Sequence, residues 1–213
     1  MTIVPRRRYG WPGALALILV VSTPGAAGVI DAIELDVGPA TIDAGLRIAR
    51  GPEAGRAAFH RPYQFATNDP SVERVEVITE YRRLVLMGEE RIASGDHMFE
   101  QGGRMVEDAL RPYRRRVSVV ARVRFPPQNA YATAPPIDIA LTGTSGDVPR
   151  LDVRSNTQYA MASGAANQQL PLIGVDGEAV FDATAIGQTL RTAIVRLNGK
   201  ELARVAIDFS RLD

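Results

Sequence analysis

The stretch YRRLVLMGEERIASGDHM, residues 81–98, gathers most of the side chains that could do chemistry. Glu89 and Glu90 are adjacent carboxylates, and either could serve as a general base. Arg82 and Arg83 carry the forked donors that hold a carboxylate or phosphate. His97 follows Asp96, and histidine is the usual base near neutral pH. Together these residues define a hydrolase reading built on Glu89, Glu90 or His97. His60 is the only other histidine, 37 positions away. Neither H-E-x-x-H nor His-x-His spacing occurs, so no metal site is expected. No cofactor is expected either, because no phosphate loop or dinucleotide fingerprint is present. GTSGD at 143–147 departs from the G-x-S-x-G elbow of serine hydrolases.

The element that must position these groups is a helix. Tyr81, Leu84, Val85, Gly88 and Ile92 recur at helical spacing, which predicts one apolar face over residues 80–94. Thr79 is the expected N-cap and Gly95 the expected left-handed C′ residue. Leu84–Met87 alone would also fit a buried strand. On the helix, Arg82, Arg83, Glu89, Glu90 and Arg91 lie away from the apolar stripe. The simpler expectation is therefore a solvated charged face rather than an active site.

Charge and composition exclude other classes. The chain of 213 residues carries 25 basic and 24 acidic residues. Arg6, Arg7 and Arg8 lie in an N-terminal segment that holds no acid. Beyond residue 27 the balance is 22 basic to 24 acidic, net −2. No basic field is left to hold nucleic acid. The three arginines precede the apolar run Ala14–Val21 and the small residues Pro24-Gly25-Ala26-Ala27. That order predicts a signal peptide over 1–27 and export to the periplasm or beyond. The apolar run is shorter than the roughly 20 residues of a membrane span, so no span is expected after cleavage. The chain has no cysteine. Disulfides, thiolate metal sites and cysteine nucleophiles are thereby excluded.

Along the rest of the chain, 29–37 reads as a short strand. Thr41 is a candidate cap for a helix with Ile42, Gly45, Leu46 and Ala49 on one face, stopped by Gly51-Pro52. A second helix is expected over 52–60, a strand at 72–79 and a short helix at Met105–Leu110. From residue 117 the pattern becomes β. Val117, Val119, Ala121, Val123 and Phe125 alternate with Ser118, Val120, Arg122 and Arg124, one buried face and one mostly wet. IDIAL, from 137, is another strand. Asn198-Gly199 between two alternating runs predicts a hairpin over 189–209, because a type I′ turn needs two positive φ angles. Leu197 should then pair with Lys200 and Arg196 with Glu201. The expected core face is Leu190, Thr192 and Ile194 with Ala203, Val205, Ile207 and Phe209.

These elements predict an α+β protein. Residues 28–115 form a part of short strands and helices, and 116–213 an antiparallel β-sandwich of immunoglobulin-like architecture. The expected function is that of an exported bacterial envelope protein without catalysis, structural or binding another envelope protein. The expected contact surface is a polar loop over 155–169, with Asn156 as an adaptable contact and Tyr159 and Met161 as anchors. A carbohydrate-binding module is a further alternative. It is weakened because Trp11, the only tryptophan, leaves with the signal segment and removes the best stacking platform.

Overall fold

The computed structural model describes residues 37–212, apart from 97, 98, 100, 101, 130, 145 and 161–169. The expected signal segment and all but Val37 of the expected first strand therefore lie outside the described residues, as do His97 and Met161.

Two helices open the described chain. Helix α1 spans Pro39–Ala49, with Pro39 in its first turn, where a missing N–H costs nothing. It begins two residues before Thr41, the expected cap. Its buried residues are Ile42, Gly45, Leu46 and Ala49, the face that the spacing predicts. Helix α2 spans Glu53–His60. Strand β1 (Gln64–Phe65) and strand β2 (Val72–Ile78) follow. Helix α3 spans Glu80–Ala93 and helix α4 spans Arg104–Leu110. Thr79 caps α3, its hydroxyl accepting from the Arg82 N–H at 3.1 Å. Gly95 sits just beyond, at φ 76°. The apolar run Leu84–Met87 is therefore helical. Leu84 packs against Ile42, Leu46, Phe99, Val106 and Leu110 in a helical core. Gly45 and Gly88 let α1 and α3 approach closely. A Cβ at Gly88 would lie 2.8 Å from the Ala49 side chain.

The remaining elements are β3 (Arg116–Arg124), β4 (Ile137–Gly143), β5 (Gly146–Asp147), β6 (Arg150–Tyr159) and β7 (Leu172–Asp182). A one-turn helix α5 (Ala183–Ile186) leads to β8 (Leu190–Leu197) and β9 (Lys200–Asp208). They form two antiparallel sheets, in the orders β1-β2-β3-β7-β6 and β5-β4-β8-β9. Strand β2, from the N-terminal part, pairs with β3, from the C-terminal part. The sheets pack face to face on one core that includes Val75, Val119, Ala179, Phe181, Leu141, Val195 and Ile207. The protein is thus an α+β fold with two packed antiparallel sheets. No helix among the described residues is long and apolar enough to cross a membrane.

The terminal hairpin agrees with the sequence at its turn and departs from it two residues later. Asn198 and Gly199 have φ 51° and 78°, and Leu197–Lys200 and Arg196–Glu201 are paired. Val195 then pairs with Ala203, so Leu202 is an extra residue on β9. This bulge shifts the pairing by one, which moves β8 to its other face. Ala203, Val205, Ile207 and Phe209 face the core as expected. On β8 the core residues are Ala193 and Val195, while Leu190 is 63% exposed. The turn itself demands the left-handed region, where a β-branched side chain costs about 1–2 kcal/mol. Gly199→Val should lower stability by about that amount, seen as a lower midpoint in thermal unfolding.

Candidate functional site

Glu90 and Arg91 of α3 are exposed as expected, but Arg82, Arg83 and Glu89 leave the solvated face. Helix α3 lies against the outer surface of the first sheet, and its first turn turns Arg82 inward, leaving it 1% exposed. The cause is a carboxylate on the neighbouring strand. Val75 and Val77 of β2 fill the core between the sheets, so alternation sends Glu76 to the opposite face, toward the helix. Arg82 Nη2 donates to Glu76 Oε2 at 2.6 Å, and Nη1 donates to the Val77 carbonyl at 2.6 Å. Arg74 forms a second ion pair with Glu76. The Arg82 guanidinium lies 5.2 Å from the centre of the Tyr63 ring. Burial holds it below its usual pKa, against the opposing pull of the Glu76 hydrogen bond.

The network continues into α2. Arg82 Nε donates to His60 Nδ1 at 3.3 Å, and His60 Nε2 lies 3.1 Å from Glu89 Oε1. Arginine can only donate, so Nδ1 must accept and Nε2 must carry the proton. Arg56 stands 3.4 Å from the same Glu89 oxygen. The fold therefore joins Glu89, one of the sequence candidates, to His60 and Arg82. A general base needs one ring nitrogen free to face its substrate while the other is oriented. Here both nitrogens of His60 are engaged within the protein. This geometry predicts a single tautomer. Long-range proton–nitrogen NMR should find the His60 proton on Nε2, and removing both determinants together, with Arg82→Met and Glu89→Leu, should release that preference.

The other candidates separate. Glu90 is exposed on the far side of the helix. Asp96 accepts from the Phe99 N–H at 3.2 Å and pairs with Arg91 at 3.3 Å, which ties the helix end to the following segment. Arg83 leaves the helix toward the sheet. Its Nη2 donates to Ser118 Oγ at 2.9 Å and Glu178 Oε1 at 3.1 Å, and its guanidinium lies 4.3 Å from the Tyr113 ring centre. Ser118 is consequently buried, a departure from the wet face expected of β3. Glu80, also buried, accepts the Arg115 N–H at 2.9 Å and supports that residue at φ 56°. Among the described residues no group of His, Asp and Glu is arranged to hold a metal ion.

Beyond Arg83 the outer face of the first sheet opens into a cleft of about 390 Å3. Ile78 and Val120 line it, with Arg83, Arg154, Asn156 and Asp176 around them. Asp176 is held in place by both Arg122 Nε, at 2.8 Å, and Gln158 Nε2, at 2.8 Å. The Asp176 hydrogen bond raises the Arg122 pKa above its usual value.

Strand β6 forms the far wall of the cleft and, among the described residues, is the edge of its sheet. Sequence reasoning placed Ser155–Tyr159 in a loop. They instead belong to a strand of ten residues, paired with β7 from Arg150 to Tyr159. The polar composition hid it, because an edge strand buries little of either face and needs no apolar alternation. Asn156 faces the cleft, and Tyr159 ends the strand, 55% exposed. Leu151 and Val153 are 53% and 47% exposed on the same strand. No protein-family model, no curated protein and no solved structure matches the chain.

Proposed function

We propose that this chain is an exported envelope protein of non-catalytic role, which binds another protein by strand addition at β6. We also infer that its two sheets form an immunoglobulin-like sandwich. Strand addition uses the unpaired backbone groups of a sheet edge for affinity and the side chains beside them for selection. The observation that carries the reading is the length and exposure of β6. Its ten residues end one sheet and present Leu151, Val153 and Tyr159 to solvent. Long exposed edges are usually shortened, covered or crowded with charge. At the opposite end of this sheet, β1 is only two residues long, whereas β6 runs ten residues with its charges Arg150, Asp152 and Arg154 held in ion pairs within the fold.

Strand order supports the architectural inference. Constant-type immunoglobulin domains have sheets ordered A-B-E-D and C-F-G. Taking β2, β3, β7 and β6 as A, B, E and D, and β4, β8 and β9 as C, F and G, reproduces that order. The charged, apolar and small-residue order of 1–27 supports export. A hydrolase built on Glu89 is favoured only by the Glu89–His60 contact, whose imidazole has no nitrogen left for a substrate.

The test is site-specific photo-crosslinking in cells. A photoreactive residue is placed at Asn156, at Tyr159, or at exposed Arg204 on β9 as control. One envelope protein captured from both β6 positions and not from β9 is the expected result. Equal background from all three positions would sink the reading. Sequencing the N-terminus of the envelope-extracted chain should find Gly28 first.

A further inference from the structure

We propose that the partner of β6 is a second copy of this chain, paired antiparallel about a twofold axis through Ser155. This rests on the reading of β6 as a binding edge and names what occupies it.

The argument begins with the backbone ladder. In an antiparallel pair, directly opposed residues alternate between exchanging both hydrogen bonds and exchanging none. The Phe125 N–H donates to the Ile173 carbonyl at 2.9 Å, and the Ala183 N–H to the Arg115 carbonyl at 2.9 Å. Both pairs extend the β3–β7 register, in which Ala121 faces Gly177. The odd-numbered residues of β7 therefore bond to β3, and the even-numbered ones bond to β6. Glu178 faces Arg154 and Asp176 faces Asn156. It follows that Asp152, Arg154, Asn156 and Gln158 use their backbone groups on β7. Val153, Ser155 and Thr157 direct theirs away from the sheet. One detail agrees with this parity. The Val153 N–H donates to the Asp152 side chain at 2.9 Å instead of to β7.

The three outward residues are centred on Ser155, and that symmetry selects a register. Regular pairing on β6 runs between the irregularities after Arg150 and after Gln158. Overlapping all of Asp152–Gln158 with its own copy sets Ser155 opposite Ser155. Val153 then faces Thr157 of the other copy, a favourable β-branched pair. Arg154 faces Asn156, and Asp152 faces Gln158, so each charge meets a neutral amide. The outward groups form about four hydrogen bonds between the chains, and about six where each Val153 N–H leaves its own Asp152 side chain. A shift that centres the axis on Arg154 sets two arginines opposite each other, which is destabilising. A shift to Asn156 leaves part of the regular strand unpaired. The result is one continuous sheet running through both copies, joined by the same surface patch on each.

The experiment uses the chain purified from the cell envelope, in sedimentation equilibrium across the micromolar range. The wild type should have the mass of two copies. Ser155→Pro should have the mass of one and still unfold cooperatively, at a midpoint that no longer rises with protein concentration. Proline is tolerated on an edge strand where its N–H would face solvent, and by this parity the Ser155 N–H bonds to no strand among the described residues. Because the chain lacks cysteine, single substitutions report the register without background. Ser155→Cys should form a disulfide-linked dimer on mild oxidation, since opposed residues lie about 5.5 Å apart at Cα. Thr157→Cys should not, because its copies would be about 13 Å apart. A single-copy mass for the wild type overturns the proposal. So does a dimer that survives Ser155→Pro, or one in which Thr157→Cys links as readily as Ser155→Cys. If Ser155→Pro unfolds the chain, the two cysteine variants decide alone. A monomeric wild type that still captures one envelope protein from Asn156 and Tyr159 overturns self-pairing and leaves the edge reading standing. Loss of both removes the edge reading as well.

Discussion

Replacing Arg82 with methionine should destabilise the protein by about 3–5 kcal/mol, the range for removing one partner of a buried ion pair. Methionine fills a similar volume, so the loss is electrostatic rather than a cavity. Glu76, 9% exposed, would be left with Arg74 as its ion-pair partner. The Val77 carbonyl and His60 Nδ1 would each lose a donor. The decisive comparison is the pair Glu76→Leu with Arg82→Met. Replacing both members of a buried pair by apolar groups is often neutral or stabilising. The double variant should therefore recover most of the loss in urea unfolding. A single variant within about 1 kcal/mol of the wild type would show that water reaches Glu76 and that the pair behaves like an exposed one. A double variant no better than the single would assign the cost to the lost carbonyl and imidazole contacts instead.

Phe181→Ala should cost about as much for an unrelated reason. Phe181 is fully buried on β7, opposite Val117 of β3, and packs in the core shared by both sheets. Truncation removes the transfer free energy of the ring and leaves a cavity that a two-sheet core closes only partly. Such changes cost about 3–5 kcal/mol. Domains of this kind have about 5–15 kcal/mol in total, so a large part of the stability would go. Phe181→Leu keeps most of the volume and should lose distinctly less than the alanine variant. Unfolding of both variants in urea gives the two values. An alanine variant that unfolds at the wild-type midpoint would mean that the two sheets are not held by this core.

The helix devices were legible in the sequence because their causes lie within a few residues. The buried face of α1 follows from Ile42, Gly45, Leu46 and Ala49 at helical spacing. Thr79 caps α3 with its own hydroxyl three residues on. The Asn198-Gly199 turn needs only its two positive φ angles. Alternation on β3 likewise identified Val117, Val119, Ala121 and Val123 as core.

Strand β7 escaped the same reading although it lies inside its sheet, between β3 and β6. Its glycines and acids interrupt the apolar alternation that marks a strand. The neighbours explain them: a Cβ at Gly174 would lie 2.5 Å from the Val123 carbonyl oxygen, and one at Gly177 would lie 2.9 Å from the Ile137 side chain. Asp176 and Glu178 are tolerated because Arg122 and Arg83 reach them from other elements.

Local periodicity thus determined which segments are helical or extended and where several of them turn. It could not determine where a charge finds its counter-charge. Arg82 looked solvated because its own helix offers it no partner on that face. Glu76, six residues earlier on a strand, becomes its partner only when α3 folds back over the sheet. The bulge at Leu202 is a similar case, since two-residue turn geometry predicts a straight ladder and the sheet-to-sheet core selects the shifted one. The open edge at β6 is likewise a property of strand order. Nothing in Arg150–Tyr159 says that β7 will lie on one side and no strand of this chain's described residues on the other.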